Sequence, residues 1–385
     1  MIRKVCVITG SRADYGLMRF VLQEIIDKPE LELQIIVTGM HLSETYGFTY
    51  KEIESDGFFV NEKVECLIPG DSPVHISNAI AKGIHGCAAS LDNLKPDIVL
   101  ILGDRFEILA GAIATLIARI PLAHIHGGEK TLGSYDDSIR HSITKMANIH
   151  FVATSEYRDR VIQLGENPAN VHIVGGLGVD IINRIELLDK NQIQLFLGIN
   201  LMNKILLVTF HPETLADMTP LQQMTELLLA LSDLKDTTLI FTSPNADSGN
   251  LIIIKLIEDF VSENSNAHFF KSLGHVLYLS CMSIADGVLG NSSSGITETP
   301  SFRVGAINIG ERQFGRIQAN NVINCLADRN EVSKAIELLY SDIFQTQLSK
   351  CISPYGYGGA SSKIVECLAG VQLKDINKKY FYDIK

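Results

Sequence analysis

The sequence predicts an α/β protein made of two Rossmann-like, doubly wound units. Three observations carry this. Residues 4–9 (KVCVIT), 33–38 (LQIIVT) and 97–102 (DIVLIL) are short, β-branched and almost wholly apolar, as strands covered on both faces must be. Segments of helical period separate them, and strands alternating with helices at this spacing build a parallel sheet. Halfway along the chain the pattern restarts, because residues 204–209 (KILLVT) repeat the character of residues 4–9 and again run into a loop. A chain of 385 residues also exceeds one ordinary core and fits two domains.

Taken in order, the strand at 4–9 leads through GSRADYG (10–16) into a helix over 17–26. Strand 33–38 follows, then a third strand near 58–63, a Gly-Asp-Ser-Pro loop around 71–75 and a helix over 77–91. Strand 97–102, helix 108–118, strand 122–125, helix 137–147, strand 150–153, helix 155–164 and strand 171–174 complete the first unit. Residues 180–197 read as one helical, charge-bearing connection. In the second unit, strands are expected at 204–209, 238–242, 267–270, 287–289 and 306–309, and helices at 221–234, 251–261 and 278–285. The tail over 361–370 is helical. The expected domains are 1–180 and 181–364.

Composition narrows the function classes. Hydrophobic residues make up 46% and charged residues 20%, an ordinary globular balance. A net charge of -11 argues against a general binder of nucleic acid or anionic membrane, but leaves room for a local basic pocket for phosphate. The seven cysteines are scattered without a CxxC pair, as expected of reduced thiols in a cytoplasmic protein. The start, MIRKVCVITG, reads as a strand rather than a signal peptide, and no apolar run reaches membrane-span length.

Chemistry-bearing residues crowd the stretch 97–150. Asp104, Arg105 and Glu107 follow one expected strand, His124, His126 and Glu129 close the next, and Asp136, Asp137, Arg140 and His141 open the helix after it. Open parallel sheets keep their chemistry where strands stop. Each residue also has a plain structural explanation: Asp104, Asp136 and Asp137 as helix-start residues, the histidines as satisfied core groups. His124-x-His126 could also be a metal pair, with Asp104 or His141 as further ligands. The crowding of acids and histidines is the argument for function, since it sets proton affinities apart. In loop 10–16, Gly10 suffices for a turn, yet Arg12 favours phosphate. Residues 290–298 (GNSSSGITE) place small residues and hydroxyls between a strand and a helix, which suits a diphosphate as well as an N-cap. Glu298 lies one turn into that expected helix, where it could accept from a ribose diol. Arg312 and His211 each follow an expected strand of the second unit.

GSRADYG (10–16), LGDRFE (102–107), HIHGGEKTLGSYDDSIRHSITKMA (124–147), FHPET (210–214), SPNADSG (243–249), GNSSSGITE (290–298) and INIGERQFGR (307–316) occur in this order. Together they resemble the hydrolysing UDP-N-acetylglucosamine 2-epimerases of sialic-acid biosynthesis, over roughly residues 1–370. The resemblance implies a GT-B-like fold with the active site in an interdomain cleft, and a C-terminal helix, 365–385, that returns to the first domain. It implies release of UDP and N-acetylmannosamine from UDP-N-acetylglucosamine, with no nicotinamide and no catalytic metal. The family's route is anti elimination of UDP to a 2-acetamidoglucal, then hydration with a proton returned to the opposite face of carbon 2. By motif match, Asp104 and Asp137 are the acid/base carboxylates and His211 assists departure of UDP or positions water. Arg12, Arg105, Asn245, Ser292, Ser293, Glu298 and Arg312 contact the nucleotide sugar. A homo-oligomer, dimer or tetramer, is implied as well. One departure stands out: many relatives carry Glu in HxEGG, where this chain has His126 in HIHGG. Either His126 takes over the proton transfer, or Glu129 reaches in, or the substrate differs. The HIHGGE version is similar to the bacterial capsule and surface-glycan branch, which also contains enzymes acting on UDP-N,N′-diacetylbacillosamine.

Overall fold

The computed structural model describes residues 2–70, 72–131, 135–213, 218–244 and 249–384. In chain order the elements begin β1 (Arg3–Thr9), α1 (Arg12–Ile26), β2 (Leu31–Thr38), α2 (Tyr50–Ser55), β3 (Glu62–Val64), α3 (Pro73–Leu94), β4 (Ile98–Leu102) and α4 (Phe106–Ile117). Then come β5 (Leu122–Ile125), α5 (Asp136–Met146), β6 (Ile149–Val152), α6 (Ser155–Gln163), β7 (Val171–Ile173), α7 (Leu177–Ile182) and α8 (Lys190–Leu197). The restart follows as β8 (Lys204–Thr209), α9 (Pro220–Leu231), β9 (Thr237–Thr242), α10 (Asn250–Glu263), β10 (Ala267–Phe270), α11 (Gly274–Ile284) and β11 (Gly287–Gly290). The chain closes with α12 (Ser294–Thr297), α13 (Thr299–Phe302), β12 (Gly305–Ile309), β13 (Val322–Cys325), α14 (Arg329–Leu339), α15 (Asp342–Leu348) and α16 (Ala360–Gly370).

The chain divides into two compact units, one of residues 1–129, 135–181 and 358–385, the other of Lys130, Thr131 and 182–357. The first holds a seven-stranded parallel sheet in the order β3-β2-β1-β4-β5-β6-β7. Val5, Val7, Ile98 and Leu100 turn to one face of it, with Met18, Val21 and Leu22 of α1. Cys6, Ile8, Val99 and Ile101 turn to the other, with Ile108 and Ala112 of α4. This two-sided burial is why the strands carry no polar alternation. Helix α16 shares the first core through Ile364, Val365 and Leu368. The Asp180 carboxylate fixes its start by accepting from the backbone N–H of Gly359 (2.6 Å) and Ser361 (3.0 Å).

The second unit holds a six-stranded parallel sheet in the order β10-β9-β8-β11-β12-β13. Leu206, Val208, Leu289 and Ile307 pack beneath Met224, Leu227 and Leu231 of α9. Each sheet therefore reverses direction of winding once, between β1 and β4 and between β8 and β11. Strand ends beside such a reversal open a crevice that loops from the two neighbours cannot both cover. Gly290 ends β11 at φ +129°, and a Cβ there would lie 1.9 Å from the Thr209 carbonyl, so only glycine lets β11 leave the sheet at this point.

Some expected boundaries move, for local reasons. The helix expected from residue 17 starts at Arg12, because the Ser11 side chain caps it by accepting from the Asp14 N–H. The helix expected from 77 starts at Pro73, a residue suited to a first turn. The single helix expected over 180–197 is two, α7 and α8: Asp189 and Gln192 form a capping box that starts a new helix. Strand β13 was not expected, and the third strand sits at Glu62–Val64 rather than 58–63. Among the described residues no helix is long and apolar enough to cross a membrane.

Candidate active site

In the first unit, β1 and β4 run side by side, with Ile8 opposite Ile101, so their C-terminal loops are neighbours. The β4 loop carries Asp104, Arg105 and Glu107. Glu107 is 1% exposed and its Oε1 accepts from Arg105 Nε at 2.6 Å. The glycines Gly10 and Gly39 make room for it, since a Cβ on either would press on the Glu107 side chain. From α5, buried Arg140 reaches back: Nη2 donates to the Asp104 carboxylate, and Nη1 lies 3.5 Å from Asp137 Oδ1. His141 Nε2 stands 3.4 Å from the other Asp137 oxygen. One guanidinium thus brings together the two carboxylates that the motifs single out, although 33 residues of chain separate them.

His126 directly follows β5 with φ +68°, a left-handed backbone uncommon and costly outside glycine. Its Nδ1 is 3.6 Å from Oε1 of buried Glu129. His126 and Glu129, the two candidates for the role of the missing glutamate, thus form one imidazole–carboxylate pair. His124 is different. Its Nδ1 meets Thr144 Oγ1 at 3.2 Å and its Nε2 the Gly103 carbonyl at 2.8 Å, and burial pulls its pKa down to about 3. Both ring nitrogens are engaged by the protein, so His124 is a core histidine rather than half of a metal pair.

Arg12 occupies the first turn of α1, half exposed, with Nη2 2.9 Å from Glu52 Oε1. An exposed pair of this kind is weak and exchangeable.

In the second unit, β8 and β11 lie side by side, with Val208 opposite Leu289. His211 follows β8 and the serine turn follows β11. They are tied by Asn291, whose Oδ1 accepts from the His211 N–H at 2.7 Å and whose Nδ2 donates to the His211 carbonyl at 2.8 Å. The Asn291 carbonyl accepts from Arg312 Nη1 (3.2 Å) and Gln313 Nε2 (2.8 Å). Glu213 closes the network by accepting from the Arg312 backbone N–H at 3.1 Å. Burial, then the neighbouring Arg312, holds the His211 pKa well below its usual range, so its imidazole is neutral at pH 7.

Ser292 and Ser293 are partly exposed, and Ser292 Oγ lies 3.1 Å from Ser294 Oγ, which meets the Tyr278 hydroxyl at 2.6 Å. The helix expected to start here is only four residues long, and Glu298 sits between α12 and α13 rather than inside one helix. Hydroxyls and backbone amides, not a long helix dipole, are what this turn offers an anion. Burial pushes the Glu298 carboxyl up to about 7. Asn245 lies outside the described residues.

Known proteins match this chain along its length. The family profile described as UDP-N-acetylglucosamine 2-epimerase matches residues 23–369. The chain belongs to the UDP-N-acetylglucosamine 2-epimerase family. It is an enzyme of the hydrolysing kind. It is 40% identical over 384 residues to the GDP/UDP-N,N′-diacetylbacillosamine 2-epimerase (hydrolyzing) of Campylobacter jejuni, covering 99% of both chains. It is 39% identical over 385 residues to the polysialic acid biosynthesis protein P7 of Escherichia coli, covering 99% of this chain and 98% of that one. Its fold is similar to the Neisseria meningitidis UDP-GlcNAc 2-epimerase solved with UDP-GlcNAc, with TM-score 0.80 at 18% identity over 95% of this chain and 99% of that one.

Four residues around the site escaped the sequence: Asn291, Arg140 as a bridge, Glu213 and Tyr278. The i, i+3 spacing of Asp137 and Arg140 was a usable signal for the second of these, because it stacks both on one helix face. Asn291 and Glu213 lie inside the motifs 290–298 and 210–214, but no motif shows their contacts to backbone 80 and 99 residues away.

Proposed function

We propose that this epimerase acts on UDP-N,N′-diacetylbacillosamine, releasing UDP and the free 2-epimer of the sugar. The observation that carries this is the 40% identity, end to end, with the Campylobacter jejuni enzyme named for that substrate. The HIHGGE motif, whose His126 and Glu129 form a pair, supports the same branch. UDP-N-acetylglucosamine, giving N-acetylmannosamine for sialic-acid synthesis, is the second reading. The Escherichia coli relative named for polysialic acid favours it.

In the proposed mechanism a carboxylate of the Asp104–Arg140–Asp137 group takes the proton from sugar carbon 2. The electron pair forms the carbon 1–carbon 2 double bond as the carbon 1–oxygen bond to UDP breaks. Water then gives its hydroxyl to carbon 1, and a proton enters carbon 2 from the other face. The His126–Glu129 pair is suited to this second transfer, since a carboxylate orients an imidazole and supports its cationic form. In the second unit, Ser292, Ser293 and Arg312 are proposed to hold the diphosphate and Glu298 the ribose. A diphosphate beside His211 would raise the affinity of its imidazole for a proton, so the histidine neutral at rest becomes a proton donor when UDP has to leave. Arg12 and Arg105 are proposed to offset phosphate charge. The family resemblance supports a cytoplasmic homo-oligomer.

The test is turnover of both UDP-sugars, side by side, in deuterium oxide. The diacetylbacillosamine substrate should show a kcat/KM higher by at least about tenfold, a difference of roughly 1.4 kcal/mol in transition-state binding. One deuterium should appear at carbon 2 of the product. Faster turnover of UDP-N-acetylglucosamine would select the second reading, and retention of the original hydrogen would exclude the elimination. Asp104→Asn should lose activity by at least about a hundredfold while UDP affinity, measured by calorimetry, stays near that of the parent.

A further inference from the structure

One buried acid in the first unit is used by none of this. Asp14 stands in the first turn of α1, after β1, and is 7% exposed. Its Oδ2 has no hydrogen-bond partner among the described residues. Ser11, its own N-cap, is the polar contact on the near side. The β4 loop faces it with Arg105, Glu107 and Asp104, all of which act on it electrostatically. Just after β2, His41, whose ring nitrogens meet Thr9 Oγ1 at 3.1 Å and Thr49 Oγ1 at 2.8 Å, feels the same Arg105. A carboxyl in that position has two possible states with different consequences. Neutral, it adds no charge beside the ion pair of Arg105 and Glu107. Ionised, it sets a second buried anion against Arg105 and next to Asp104, and adds negative charge where an anionic nucleotide sugar has to bind.

We propose that Asp14 is a positioning residue for the epimerase reaction, a neutral carboxylic acid in the working enzyme that sets the charge balance of Arg105 and Asp104 at the end of β4. Burial is the leading cause that pushes its pKa up to about 7, ahead of Arg105, which works the other way. The carboxyl is therefore protonated below neutrality and ionises just above it. Loss of that proton costs activity by charge, not by collapse of the fold. The proposal rests on the function proposed above, and its substrate-free test separates the two.

The experiment compares kcat/KM at pH 6 and pH 8 for the parent and for Asp14→Asn, which fixes the neutral state with the same shape. Losing one proton at about pH 7 lowers the parent's rate about tenfold over this interval. The ratio of the two rates should be about tenfold larger in the parent than in the variant. Equal ratios would overturn the proposal. In parallel, infrared titration of the parent labelled with carbon-13 at the aspartate carboxyl should show an isotope-shifted protonated-carboxyl band that fades with a midpoint near 7. The label distinguishes it from Glu298, and its absence in Asp14→Asn, or in Asp14→Ser should the first variant not fold, assigns it. No such band in the parent would also overturn the proposal. If the parent turns over neither UDP-sugar, the proposed function fails, and the infrared result still decides the state of Asp14.

Discussion

Asn291 organises more of the second unit's site than any residue the motifs nominate. It is fully buried, and both ends of its amide clamp the backbone of His211 while its own carbonyl holds Arg312 and Gln313. An amide suits this place because the site needs one acceptor and one donor at fixed separation, without charge. Asn291→Ala removes both side-chain clamps and leaves the His211 N–H and carbonyl to find other partners, a loss of about 1–3 kcal/mol for each buried group left unmet. UDP affinity should fall at least about tenfold by calorimetry. Asn291→Asp should be worse, because its charge lies against Glu213, 3.4 Å from the amide it replaces. An unchanged affinity in both would mean that His211 and Arg312 hold their places without Asn291.

Helix α5 shows how a whole element is aimed. Its first turn carries Asp136 and Asp137, and its last carbonyls face a cation: Lys379 Nζ, from the C-terminal segment, donates to the carbonyls of Lys145 (2.7 Å) and Ala147 (2.5 Å). Both ends match the helix dipole. The same ammonium reaches buried Glu166 at 2.6 Å, which Lys145 and His150 also contact. Burial alone would raise the Glu166 pKa, but His150, Lys145 and Lys379 together outweigh it and bring it to about 2. The segment after α16 therefore fixes the far end of the helix whose near end holds Asp137 and Arg140. Lys379→Met keeps the aliphatic stem and removes the charge. Its urea midpoint should fall by an amount equivalent to about 1–2 kcal/mol. A midpoint equal to the parent's would show that the segment adds nothing to α5.

For the molecule as a whole, buried neutral histidines weigh against acid. Burial lowers His41 to about 4 and His124 to about 3. The unfolded chain takes up protons on these rings near their ordinary pKa of about 6.5, while the native protein refuses them until far lower pH. These rings therefore contribute stability that is full above about 6.5 and lost as pH falls toward 4, while the buried carboxyls of Asp14 and Glu298, raised to about 7, work the other way over the same interval. Glu166 adds to the same decline below about 4.5, where the unfolded carboxylate protonates and the native one does not. Removing one such ring in His124→Gln, which keeps a polar side chain able to meet the Gly103 carbonyl, should make the variant lose less melting temperature than the parent between pH 7 and pH 5, which changes the slope against pH. Parallel slopes would show that His124 does not set it.

The sequence by itself determined the two α/β units and nominated the candidate chemistry-bearing positions. Both are local matters: an all-apolar β-branched run is a strand covered on two faces, and a charged cluster after it marks where that strand stops. The ordered motifs carried the family. What only the tertiary structure decided were the partnerships across the sheets. Asp104 meets Asp137 through Arg140 because β4, β5 and the helix after β5 are neighbours. His126 and Glu129 form a pair because a left-handed residue turns the chain at the end of β5. Asn291 reaches His211 because β11 lies beside β8, not beside β10. Such contacts depend on strand order, and strand order is set by the packing of whole faces, which no window of sequence contains.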